Sequence, residues 1–322
     1  MGSSCSKSIK NNNKNIINNN DSSYREILYY EELLNWTCDK KLDTYHWWPL
    51  KEAYDPSVNN LYCYGGGLHK YDILFDKESV SHQKEHYFRS EHSTLSDAGW
   101  AGFCDKASIL SCLYKYPKSS VRVCVDKKSF IFSPIDIEML MIVCCDNMIE
   151  NNMVLFLGER HNDNDENSDI NEPYPSQLVH FLRLMCSENE PFVMDIDDDV
   201  SVWNYSYDKV IVSQHSVCPI DHNLNQNLTN VKFLNFKIES SAYPKKSLDL
   251  WGYSGIIESD DENVYNEGWI SHSHPDFLWK KYIKETEWTG LSKINPEIDS
   301  SIIYKIYKQS LSNNNCTLEF TK

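Results

Sequence analysis

The run Gly99-Trp100-Ala101-Gly102-Phe103-Cys104-Asp105-Lys106-Ala107-Ser108 places a thiol where a glycine-containing loop turns into a helix. That position suits a nucleophile, because unpaired N–H groups and the positive end of the helix dipole favour thiolate. Gly102 allows the backbone to approach a substrate closely, and with Trp100 it forms the expected substrate loop. Backbone N–H groups beside the sulfur are candidate oxyanion donors. Asp105 works the other way, since a carboxylate next to a thiol raises its pKa. The competing reading is a buried structural cysteine, the commonest fate of a free thiol.

Other constellations are weaker. Asp163-x-Asp165-x-Asn167-x-Asp169 alternates like the start of a calcium loop, but Ser168 stands at the glycine position and Tyr174 at the glutamate position. No cofactor is therefore expected, calcium being a weak alternative. Cys144-Cys145 lacks the spacing of a zinc site and reads as core. His272-x-His274 has no cysteine partner nearby, so no metal site is expected there.

The elements that must position Cys104 follow from hydrophobic spacing. Ile27, Tyr30, Leu33 and Leu34 predict a short helix over 27–36. Gly65-Gly66-Gly67 predicts a loop or turn. Phe103, Ala107, Leu110 and Tyr114 form the apolar stripe of the Cys104 helix. Ser133-Pro134 opens a second helix to about Cys145, and Pro175–Ser187 a third, which buries Leu178, Phe181, Leu182 and Met185. Phe192–Asp197 alternates as a half-buried strand; Val202-Trp203, Val210–Val212 and Leu234–Ile238 continue the β character. Helices precede strands, which predicts an α+β fold with a mainly antiparallel sheet.

The 322 residues are 41% hydrophobic, enough to bury a sizeable core, and the net charge of −16 argues against a nucleic-acid partner. The N-terminus lacks the apolar region of a secretory signal, so the 11 cysteines are expected to be mostly reduced. Met1-Gly2-Ser3-Ser4-Cys5-Ser6 fits myristoylation at Gly2 with Cys5 available for palmitate. Lys7, Lys10 and Lys14 add attraction to anionic lipid. The protein is thus expected at the cytoplasmic face of a membrane, lipid-anchored, with the membrane surface as one partner. The expected organisation is an arm over 1–23, an aromatic and glycine-rich region over 24–98, a catalytic core over 99–290 and a C-terminal extension over 291–322.

Trp100-x-Gly102-x-Cys104 followed by Ala107-Ser108 resembles the nucleophile motif of the transglutaminase-elicitor family of oomycetes and bacteria. Upstream, Trp47-Trp48-Pro49 and Gly65-Gly66-Gly67-Leu68-His69-Lys70-Tyr71-Asp72 resemble its tryptophan-rich and GGxLxKYD segments. Downstream, Phe132–Ile137, Gly158–Asn162, Pro175–Leu182, Pro191–Asp197, Val202-Trp203-Asn204, Gly268-Trp269-Ile270 and His274–Trp279 resemble further family segments, in the family's order. Asp105-Lys106-Ala107 stands where the family has Asn-Gly-Trp, and Tyr205-Ser206 where it has Gln-Pro.

The resemblance implies a transglutaminase/papain-like thiol-enzyme core with the nucleophile helix packed on the sheet. It also implies acyl transfer on protein glutamine, with an amine or water as acceptor, through Cys, His and Asp in that chain order. Two sets fit. His180 with Asp195 is preferred on family position and chain order; His274 with Asp276 is the alternative. His180 falls about 200° around its helix from Leu178, off the apolar stripe. The rival functions are a membrane-tethered pseudoenzyme or binding module on the same fold, or a cysteine protease.

Overall fold

The structure, a computed structural model, describes residues 30–54, 60–88, 101–148, 154–158, 172–196, 203–217, 228–258, 263–281, 288–312 and 316–321. In chain order these form β1 (Tyr30–Thr37), α1 (Gly67–Phe75), α2 (Ser79–Phe88), α3 (Cys104–Leu113), β2 (Val121–Val125), β3 (Lys128–Phe132), α4 (Pro134–Cys144), β4 (Val154–Gly158) and α5 (Pro175–Ser187). There follow β5 (Phe192–Asp195), β6 (Asn204–Tyr207), β7 (Lys209–His215), β8 (Leu228–Glu239), β9 (Ser247–Glu258), β10 (Asn263–Trp269), β11 (Phe277–Lys281), α6 (Ser300–Ser310) and β12 (Cys316–Phe320).

The strands make three sheets, ordered β1-β7-β8-β9-β10, β4-β11-β5-β6 and β12-β2-β3. The pairing of β12 with β2 is parallel, and the other strand pairings are antiparallel. The fold is α+β with mainly antiparallel sheets, as the sequence predicts.

The sheet β4-β11-β5-β6 stands between two hydrophobic cores, and period-two alternation decides which side chains each receives. Val193, Phe277 and Trp279 face the first core, with Ala107, Ile109 and Leu110 of α3 and the buried face of α4. Phe192, Met194 and Leu278 face the second core, with Leu178, Phe181, Leu182 and Met185 of α5 and Val210, Val212, Phe236 and Ile238 of the five-stranded sheet. Helices α3, which Cys104 opens, and α5 therefore pack on opposite faces of this sheet.

Two segments depart from expectation. Residues 30–37 are strand β1, not part of a helix, and pair with β7. The ladder has a bulge between Glu32 and Leu34, so Leu33 and Leu34 can both pack against the second core. That doublet mimics helical spacing, while Tyr30, Trp36 and Thr37 carry β preference that the open edge of β7 rewards. Residues 291–322 are also more than an extension. Ile303, Ile306 and Tyr307 of α6 are buried in the first core, and β12 completes the sheet with β2 and β3. The same core takes residues from both sides of the boundary expected at 98/99.

Several of the segments quoted above hold one another. Gly67 starts α1, and a Cβ there would lie 2.4 Å from the Asp136 carbonyl oxygen. Lys70 Nζ sits 2.6 Å from Asp136 Oδ2, while the Asp136 carboxylate accepts from Ser133 N at 2.7 Å in the box that caps α4. Asp72 accepts from Ser79 N and Val80 N at 2.7 and 3.0 Å and so caps α2. Gly158 (φ +88°) pairs with Phe277, and a Cβ there would collide with the Asp276 carbonyl. Cys144 and Cys145 are core, as expected.

Candidate active site

Cys104 is the first residue of α3, half-buried, at the edge of a cavity of about 110 Å³. Tyr45, Trp47, Trp203 and Tyr243 give it aromatic walls; Ser108, Ser111, Asn204 and Ser206 give it a polar floor. The loop before Cys104 is fastened to the tryptophan-rich segment. Phe103 N donates to Trp47 O at 2.6 Å and Leu50 N to Ala101 O at 2.8 Å. At Gly102 the close approach is made by the Trp47 indole: a Cβ would lie 2.6 Å from its Cε3. Trp47 in turn packs against Trp203, with ring centroids 5.2 Å apart.

Strand register brings the remaining groups in. Asp195 shares the α3-facing side of β5 with Val193, and its cross-strand partner on β6 is Asn204. Its Oδ1 accepts from Trp203 N at 2.7 Å. Asn204 Nδ2 donates to Cys104 Sγ at 3.8 Å, and Asn204 Oδ1 accepts from Trp279 Nε1 at 3.2 Å. Ser108 Oγ donates to Asn204 O at 2.8 Å, tying the strand to the helix.

Burial pushes the Cys104 thiol up to about 11, the Asp105 charge adds to this, and Asp195 contributes in the same direction. The hydrogen bonds from Asn204 oppose them. Desolvation is the largest of these causes, and it works against the thiolate that the helix entry was expected to favour. Asp105 is itself held by Lys106, whose Nζ lies 2.9 Å from it and 2.7 Å from Asp146.

The structure does not bring the two histidines expected from chain order into this cavity. His180 lies on the exposed face of α5, across the sheet from Cys104. His274 is turned toward Glu172, with its Nδ1 3.0 Å from His272 O and its ring stacked on Trp269. The two acids are neighbours along the backbone ladder, where Asp276 N donates to Asp195 O at 3.3 Å at the start of β11, but neither lines the cavity. Asn204 was missed as a site residue. Its signal was its place in the Val202-Trp203-Asn204 segment, but only pairing with Asp195 puts it beside the thiol. Trp100, Gly2, Cys5 and Asp163–Asp169 lie outside the described residues.

The layered arrangement of helices and antiparallel sheets that holds this half-buried cysteine beside an aromatic cavity is a transglutaminase-like fold. The crystal structure of the GP42 transglutaminase from Phytophthora sojae shares it, with a TM-score of 0.55 and 16% sequence identity over 86% of this chain and 91% of that one. No family model and no curated protein matches the sequence.

Proposed function

We propose that this protein is a thiol acyltransferase acting on carboxamides such as protein glutamine, with Cys104 as nucleophile. The observation that carries the reading is the position of Cys104 at the first turn of α3, facing an aromatic-walled cavity. The sulfur attacks the carboxamide carbon, ammonia leaves with the thiol proton, and an acyl-thioester remains. A primary amine takes the acyl group to give an isopeptide; water gives the deamidated side chain. Gly102 and the indole of Trp47 shape the wall along which the acyl donor enters. Trp100 is proposed to belong to the same substrate loop.

Asp195 is proposed as the acid of the site, because its carboxylate is anchored by Trp203 N and it is the cross-strand partner of Asn204, which contacts Cys104. Neither His180 nor His274 lines the cavity, so the base role is given to neither of them. No cofactor is invoked. The arm is proposed to tether the protein to the cytoplasmic face of a membrane through acyl chains on Gly2 and Cys5. Among the described residues no helix is long and apolar enough to cross one.

The test is transfer of a labelled primary amine to a glutamine-containing protein. Wild type should incorporate the amine and Cys104→Ser should not, at unchanged stability. A second reading, a pseudoenzyme that keeps the fold as a binding module, is favoured by a thiol pushed up to about 11. It gains if neither amine nor water ever takes an acyl group from the wild type.

A further inference from the structure

Asn204 is held in a way its fold role does not require. It is 6% exposed, on an edge strand, and clamped at three points. Its carbonyl accepts from Ser108 Oγ of the nucleophile helix at 2.8 Å. Its side-chain oxygen accepts from Trp279 Nε1 at 3.2 Å. An indole N–H can only donate, so this bond fixes which end of the amide is oxygen and aims the NH₂ group at the cavity. One N–H then points at Cys104 Sγ, 3.8 Å away, and the second has no hydrogen-bond partner among the described residues.

We propose that the Asn204 side-chain amide is an oxyanion donor of this site, which rests on the acyl-transfer reading above. When sulfur attacks an acyl carbon, the C–S bond forms and the carbonyl π pair moves onto oxygen. That oxygen lies one bond beyond the new C–S bond. A donor 3.8 Å from sulfur thus falls within reach of the about 2.7–3.1 Å that an oxyanion donor needs. Collapse re-forms the C=O bond and breaks the bond to the leaving group, which departs with the thiol proton. The donor is oriented before the reaction by Trp279 and Ser108 and sits beside backbone N–H groups of the first turn of α3, so no reorganisation is needed as charge develops. Trp279, which acts through the Asn204 side-chain oxygen, is the positioning residue for this donor.

The experiment compares two reactions of the same thiol in the full chain. Acetylation of Cys104 by p-nitrophenyl acetate passes through an oxyanion; alkylation by iodoacetamide does not. Each is followed by mass spectrometry across a pH series and compared at equal thiolate fraction. Asn204→Ala should slow acetylation by about 10²–10³ and change alkylation by less than about threefold. Trp279→Phe leaves Asn204 in place but frees its amide to rotate, and should slow acetylation by roughly tenfold, again without a matching loss in alkylation. It carries the test if Asn204→Ala does not fold. Equal acetylation in wild type and folded variants overturns the proposal while leaving acyl transfer standing. So does a parallel fall in both reactions, which would mean that Asn204 only shapes the thiol's surroundings. If wild-type Cys104 is alkylated but never acetylated, the acyl-transfer reading itself fails, and the oxyanion role with it.

Discussion

Lys106 Nζ lies 2.9 Å from the Asp105 carboxylate, so the acid next to Cys104 is answered by the residue that follows it. Burial opposes the lysine charge, but Asp105 and Asp146 outweigh it and keep Lys106 protonated. The Asp-Lys pair is thus a local unit that moderates a carboxylate otherwise harmful to thiolate formation. Asp105→Asn should move the alkylation profile of Cys104 to lower pH, because a negative charge beside the sulfur is gone. Lys106→Met should move it to higher pH, because that charge is then uncompensated. Shifts of up to about one pH unit are expected for a neighbouring charge at a partly exposed site. Iodoacetamide labelling against pH reads both.

Neither His180→Ala nor His274→Ala should move that alkylation profile by more than a few tenths of a pH unit. Helix α5 puts His180 across the sheet from Cys104, and His274 is engaged with Glu172. A clear upward shift in His180→Ala alone would restore it as the base paired with the thiol; the same shift in His274→Ala alone would select His274 with Asp276.

His274 also makes a signed prediction for stability. Burial lowers its pKa, but the bonds and charge of Glu172 outweigh this and raise it above the usual histidine value. Its contribution is therefore fully present below the unfolded pKa near 6.5 and is lost as pH rises through the folded value. His274→Gln should lose more stability at pH 6 than at pH 8 in urea titrations.

Glu138 makes a second one. It is fully enclosed in α4, accepts from His46 N and from Tyr116 Oη at 2.8 Å, and burial pushes it up to about 7. Because the folded state holds this proton more tightly than the unfolded chain, stability falls as pH rises from about 4.5 to 7. Glu138→Gln should flatten that slope.

Gly102→Ala should cost about 1–3 kcal/mol, the range for overpacking, because its Cβ would lie 2.6 Å from the Trp47 ring. Trp47→Ala should relieve part of that cost, so the double mutant should lose less than the sum of the two singles. Chemical denaturation of the four proteins checks it.

Asp136→Ala should cost about 3 kcal/mol or more. The change removes the Ser133 capping box and leaves Lys70 without its carboxylate. Acyl transfer per folded molecule should be unchanged, because this cluster is remote from the cavity lining.

The sequence by itself determined the local structure around the thiol. Short-range rules sufficed for α3 starting at Cys104, for the Ser133-Pro134 start of α4, for α5 with its buried stripe, and for the alternation of β5, because capping and periodicity act over a few residues. The same rules placed His180 off the apolar face of α5, and it is exposed. What they could not supply was which elements meet. Strand β1 was hidden because a bulge made Leu33-Leu34 look helical, and only pairing with β7 decides its state. The membership of α6 and β12 in the first core depends on contacts between residues far apart in the chain. Chain order suggested that His180 serves Cys104, but the sheet β4-β11-β5-β6 separates their helices. Asn204 reaches the sulfur for the same kind of reason: antiparallel register sets it opposite Asp195, on the face that α3 covers, and Trp279 two strands away decides which way its amide points. Backbone pairing and desolvation act between residues far apart in the chain; the first decided what surrounds the thiol, and the second is the largest influence on how firmly it keeps its proton.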